Sequence, residues 1–182
     1  MERKNALHWF NEAANLGDAS AMTWLGFAYR DGQGVSCDDV QAVKWFTKAV
    51  DAGAAHSMVY LGRLHYSINQ LVPAKEWLLR AAGAGLADSH VPLAMLLDER
   101  GTEVYSPEEA VKWWRLIAQR KFGSVGRAMV ALARHYRDGV GVARDPVEAK
   151  EWLRKCIQLG GPQSQFCCEA KLLLNEMETD LL

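Results

Sequence analysis

Residues able to cut bonds or hold metals are present in this chain, but their spacing does not assemble them. The histidines (His8, His56, His65, His90 and His135) stand far apart. The cysteines (Cys37, Cys156, Cys167 and Cys168) include no Cys-x-x-Cys pair, so no zinc-ligand spacing exists. Adjacent Cys167 and Cys168 would point to different faces of a helix, and reduced thiols in or near a helical core are the expected state. Gly32-Gln33-Gly34 and Gly139-Val140-Gly141 look like phosphate loops. Each follows an expected helix, however, and neither has the lysine and hydroxyl that a P-loop needs. They read as turns requiring positive φ. Glu108-Glu109 opens an expected helix, where its charge suits the helix dipole. No Ser-His-Asp or Cys-His arrangement can be drawn. His135, just before Tyr136 on a packed helix, reads as structural or surface-bound. The expectation is a non-enzymatic chain with no catalytic residues, no metal and no cofactor.

What, then, do these residues sit on? The chain has 182 residues, and 21 basic against 22 acidic side chains give a net charge of −1. That balance lacks the basic excess that non-specific nucleic-acid binding requires. Apolar residues make up 49%, enough for a real core. No apolar run approaches the roughly 20 residues of a membrane helix. Met1-Glu2-Arg3-Lys4-Asn5 leads into an amphipathic stretch with no signal-peptide core, so a cytoplasmic location is expected for the chain as written. A trimmed N-terminus would leave the periplasm or secretion open.

An internal repeat organises the chain. Alanine precedes tryptophan by three residues in Ala6/Trp9, Ala42/Trp45, Ala74/Trp77, Ala110/Trp113 and Ala149/Trp152. These tryptophans step by 36, 32, 36 and 39 residues, a period typical of helical solenoids. Eight residues after each stand Gly17, Gly53, Gly85, Lys121 and Gly160. Glycine suits the C-terminal stop of a helix. Leu25, Leu61, Leu93 and Leu132 hold a second register, the last displaced by an insertion within Lys121 to Gly126. Tyr29-Arg30-Asp31-Gly32-Gln33-Gly34-Val35 and Tyr136-Arg137-Asp138-Gly139-Val140-Gly141-Val142 are near copies. Asp38 or Asp39 and Asp145 are the N-cap candidates that follow, with Pro146 at a first helical position, and Ser106-Pro107-Glu108-Glu109 is a similar start. Helices are expected near 3–15, 19–31, 39–51, 55–67, 71–83, 87–99, 107–120, 125–137, 146–158 and 164–178. No stretch shows the alternation of a strand.

This pattern resembles the Sel-one-like repeat (SLR) family, a relative of the tetratricopeptide repeats. Ala21, Leu25, Gly26, Tyr29, Gly32, Gly34, Val35, Asp39, Ala42, Trp45, Ala49 and Gly53 fit its unit. Ala128, Leu132, Tyr136, Gly139, Gly141, Val142, Asp145, Ala149, Trp152 and Gly160 fit it again, with Ala133 and Cys156 as departures. The resemblance implies an all-α, right-handed solenoid of antiparallel helix pairs forming one domain over 1–182. A lone second-type helix would occupy 1–17, repeats 18–53, 54–85, 86–121 and 122–160, and a capping helix 161–182. That cap would start at Gln163 and end polar in Glu176, Glu178 and Asp180. The tryptophans are expected to fill the grooves between units as core, rather than to stack bases or sugars.

In such solenoids the first helices of successive units line the concave surface. Transferring the family's ligand-facing offsets gives Ser20, Thr23, Phe27 and Arg30, then His56, Val59, Arg63 and Tyr66. Asp88, Val91, Met95 and Asp98 follow, then Arg127, Val130, Arg134 and Arg137. Phe27, Tyr66 and Met95 are large without an evident packing duty. Arg30, Arg63, Arg127, Arg134 and Arg137 supply planar donors for carboxylates. The protein-binding groove expected from these eight residues would hold a peptide or protein edge of acidic and apolar character. The competing reading pairs the arginines with Asp31, Asp138 or nearby glutamates. No nucleic acid or membrane insertion is expected, and the chain should be a monomer or weak homo-oligomer. The implied role is a bacterial scaffold or adaptor. The alternatives are an immunity protein that neutralises a secreted effector, a host-interaction factor and, least supported, a hydrolase. Cysteine-rich members of the family are associated with penicillin binding, but this chain lacks their cysteine pair per repeat.

Overall fold

The computed structural model describes residues 2–120, 124–160 and 164–179, with side chains from residue 6 onward. Lys121, Gln163 and Asp180, named above, lie outside the described residues. Those described are helical, with no strand among them: α1 (Glu2–Asn15), α2 (Ala19–Asp31), α3 (Asp39–Asp51), α4 (Ser57–Ser67), α5 (Leu71–Gly83), α6 (His90–Asp98), α7 (Pro107–Ala118), α8 (Val125–Asp138), α9 (Pro146–Leu159) and α10 (Gln165–Thr179). The chain divides into two compact units, Met1–Pro92 and Leu93–Leu182. Within each, consecutive helices pack in antiparallel pairs, as an α-solenoid of the tetratricopeptide type requires.

The helix ends follow the local chemistry. Asp18 accepts from the Ala21 N–H at 2.8 Å, and Asp38 from that of Gln41 at 2.9 Å. Asp145 accepts from both Val147 and Glu148, and Pro107 and Pro146 stand in first turns. Asp38 is thus the cap of α3, and Asp39 is its first residue. Two starts differ from expectation. Ala55 and His56 form a turn, so α4 begins at Ser57. Ahead of α6, Ala87–Ser89 is a 3-10 turn. Pro92 explains it: with no N–H and a ring that clashes with the carbonyl four residues back, it confines the α-helix to a start no more than a turn upstream.

Glycine at positive φ closes α2 at Gly32 and α8 at Gly139. Gly160 ends α9 as expected, but with φ −82° and extended backbone. Its requirement is closeness, since a Cβ there would lie 2.9 Å from the Cys156 carbonyl oxygen and 3.0 Å from the Cys167 Cβ.

The core bears out the reading of the tryptophans only in part. Trp9 is 69% exposed, and Trp45, Trp77, Trp113 and Trp152 are only half-buried. The residues that follow four of them, Phe46, Leu78, Trp114 and Leu153, are buried instead. Ala42, Ala74, Ala110 and Ala149 are fully buried, so the alanine half of the pattern is core as expected. The small residue after each leucine explains which aromatic enters. A Cβ on Gly26 would stand 2.5 Å from the Phe46 ring, and one on Gly62 2.6 Å from Leu78. Three of the tryptophans have a cation three residues later over the ring. Lys48 sits 4.3 Å above Trp45, Arg80 4.3 Å above Trp77 and Lys155 4.7 Å above Trp152. A lysine or arginine stem covers one indole face, while Trp45 packs against Ala14, Ala21 and Leu25, and Trp77 against Ala42, Phe46, Leu61 and Leu64.

Candidate interaction site

Helix α8 carries the clearest site. Arg127 and Arg134 are seven residues apart, close to two helical turns, and so share one face. They line a cleft of 300 Å³ with Met95 and Asp98 from α6, Trp114 from α7 and Phe166 and Glu169 from α10. The Arg127 guanidinium lies 5.3 Å over the Phe166 ring, and its Nη1 donates to the Met95 Sδ at 3.2 Å. Thioether sulfur is a weak acceptor, so most of the five donors of Arg127 find no carboxylate among the described residues. Arg134 donates to Glu169 at 2.6 Å in a partly exposed pair. Asp98, Ala131 and Arg134 also line an adjoining cavity of 240 Å³ with Arg100, His135 and Asp138, so the two hollows share a wall.

That wall is held by a contact the sequence did not announce. His135 Nδ1 is 2.8 Å from the Val140 carbonyl oxygen, and its Nε2 is 3.1 Å from Asp98 Oδ2. The same carboxylate oxygen accepts from the Trp114 indole N–H at 3.3 Å. Both partners of the imidazole are acceptors, and the ring satisfies both only as an imidazolium with a proton on each nitrogen. Burial opposes that charge, but the hydrogen bond and charge of Asp98, helped by the Val140 carbonyl, prevail and raise the His135 pKa above its ordinary 6.5. With both nitrogens engaged, His135 is structural, as one of its two sequence readings held. The sequence does carry one signal. The position three after each leucine holds buried Ala28, Leu64 and Leu96, so a histidine there is out of pattern.

A raised folded-state pKa adds stability that is full below the unfolded value and disappears as pH rises through the folded one. The melting temperature of the second unit should therefore fall as pH climbs from ~6.5 through the raised value. In Asp98→Asn burial becomes the dominant influence on His135, so this fall should be lost or reversed. A pH series of thermal melts on both proteins checks it; parallel curves would remove His135 as the cause.

The other expected groove residues divide. Met95, Arg127 and Arg134 meet in the cleft. Arg137 pairs with Asp138 at 2.7 and 3.1 Å, and Arg30 with Asp31 at 2.6 and 2.8 Å, the local pairing of the competing reading. The hydrogen bond from each arginine holds its neighbouring carboxyl below the usual range. Phe27 has a packing duty after all. Its ring lies 4.7 Å from Tyr60 and 5.2 Å from Phe46, with Arg30 4.8 Å above it. Val59 and Val130 are buried, and Thr23 bonds to Ser57 at 3.0 Å between α2 and α4. Arg63 and Tyr66 are exposed on α4. All four cysteines are free thiols. Cys156 and Cys167 are buried as expected, while Cys37 and Cys168 are exposed. Burial pushes the Cys156 thiol up to about 11. Among the described residues no three His, Cys, Asp or Glu side chains could hold a metal, and no helix is long and apolar enough to cross a membrane.

Comparison with known proteins bears on the same residues. The profile of the Sel1 repeat matches residues 2–18, 19–53, 69–86, 93–122 and 126–161. The crystal structure of a Sel1 repeat protein from Oxalobacter formigenes is 28% identical, over 86% of this chain and 63% of that one, with a TM-score of 0.65. The structure of c5321, a protective antigen present in uropathogenic Escherichia coli strains and displaying an SLR fold, is 27% identical. It covers 97% of this chain and 37% of that one, with a TM-score of 0.69. MamA, 19% identical over 84% of this chain and 85% of that one, shares the fold at a TM-score of 0.62. This chain therefore spans less than two thirds of the first two structures. No curated protein matches it.

Proposed function

Because the chain belongs to the Sel1 repeat family, we propose that it acts as a protein-interaction scaffold whose cleft in the second unit takes a peptide or protein edge of acidic and apolar character. A scaffolding role is typical of these repeats. One observation carries the finer reading. Arg127 is held in place over Phe166 and Met95 with a thioether as its hydrogen-bond acceptor, ready for a carboxylate beside an apolar side chain. Arginine, methionine and aromatic residues together are also the types enriched at interfaces. Arg63 and Tyr66, exposed on α4 of the first unit, are a lesser candidate surface.

The test is direct binding of blocked twelve-residue peptides of acidic–apolar and basic–apolar composition, followed by fluorescence anisotropy. The acidic set should bind, and Arg127→Glu with Arg134→Glu should weaken it by at least about tenfold. Equal binding by the double variant would remove the cleft from the proposal. A role as inhibitor of one folded partner would show instead as nanomolar association and loss of that partner's activity.

A further inference from the structure

We propose that the cleft selects an extended segment presenting two carboxylates three residues apart, and that Glu169 stands in for one of them until the segment binds. The inference rests on the acidic and apolar ligand class proposed above and goes on to specify its register and its internal competitor.

The spacing comes from α8. Seven residues at 1.5 Å of rise separate the stems of Arg127 and Arg134 by ~10.5 Å along the helix. A chain in the polyproline II conformation repeats its face every three residues at 3.1 Å each, or ~9.3 Å. Carboxylates at positions one and four of such a segment thus reach both guanidinium groups from one side. A regular strand does so less well, because its faces alternate with a period of two. The side chains between the carboxylates splay to either flank, where Met95 and Phe166 give an apolar wall.

The two arginines differ in readiness. Arg127 has the Met95 sulfur, and its guanidinium is open to a stronger acceptor. Arg134 is already paired with Glu169. A ligand carboxylate arriving at Arg134 must displace Glu169, and the cost of that exchange lowers the observed affinity. Half-exposed pairs of this kind are weak, so the competitor can be removed by a ligand of the same chemistry. Removing a negative charge from the protein at residue 169 should therefore strengthen binding of the doubly acidic probe by more than it strengthens a singly acidic one.

The probe is a blocked decapeptide with Glu-Leu-Pro-Glu at its centre, titrated calorimetrically into the full chain. Glu169→Gln should tighten binding by up to about fivefold. Replacing either probe glutamate by glutamine, or making the two adjacent, should weaken binding. Arg127→Gln should weaken it in both protein backgrounds. Circular dichroism and melting confirm that each variant is folded. Unchanged or weaker binding by Glu169→Gln, with Arg127→Gln still weakening it, would overturn the competitor. Equal affinity for the probe with adjacent glutamates would overturn the spacing. Failure of every acidic probe to bind the unmodified chain would overturn both, together with the ligand class beneath them.

Discussion

Phe46→Ala should destabilise the first unit by about 3–5 kcal/mol, while Trp45→Ala costs only about 1–2 kcal/mol. The larger effect falls on the smaller residue because of position. Phe46 is fully buried in a cluster with Ala42, Leu61 and Leu64, and its ring lies in the notch left by Gly26. Truncation opens a cavity between α2, α3 and α4 that Phe27 and Tyr60, already in edge contact, can only partly fill. Trp45 is only partly buried, and its alanine variant loses some packing beside Leu25 and the Lys48 contact. Urea denaturation of the two variants measures the difference. A Trp45→Ala cost equal to or above that of Phe46→Ala would mean that the tryptophan is the core residue after all.

Gly141→Ala should cost about 2–5 kcal/mol, the sum of left-handed backbone strain and an overlap the chain cannot relieve. Gly141 has φ +68°, and a Cβ there would stand 2.4 Å from the Pro107 carbonyl carbon, 2.5 Å from its oxygen and 2.8 Å from the Glu108 nitrogen. Every one of those atoms is backbone in the first turn of α7, so no side chain can swing away. Gly139 has nearly the same φ, +69°, but its nearest neighbour would be the Arg144 Cβ at 3.0 Å. Gly139→Ala should therefore cost only the strain, about 1–2 kcal/mol. Thermal or urea unfolding of the pair separates conformation from contact. Equal losses would show that the approach of the 139–142 turn to α7 carries no energy.

Helix after helix was legible, because capping aspartates, prolines at first turns and terminal glycines act within a few residues of where they stand. The small shifts at the starts of α4 and α6 were local too, and Pro92 accounts for the second. The placement of the side chains expected to line a groove was legible only in part. Met95, Arg127 and Arg134 meet as the family's offsets imply, whereas Phe27 packs inward and Arg30 and Arg137 turn to the aspartates beside them. An offset fixes where a Cα stands along a helix, but long side chains choose partners according to what else lies within reach.

By itself the sequence determined the helical repeat, its period and its caps, for these depend on periodicity and on hydrogen bonds spanning one turn. Only the tertiary structure decided whether Trp45 or Phe46 fills the core. The two are neighbours about 100° apart on the helix, and the choice falls to the notch at Gly26 on another helix. It alone decided that Asp98, Trp114 and His135 share a proton-bearing contact across 37 residues of chain, and that Arg127 faces a thioether and not a carboxylate. Such pairings depend on which side chains the folded backbone brings within about 3 Å, a distance that no one-dimensional pattern encodes.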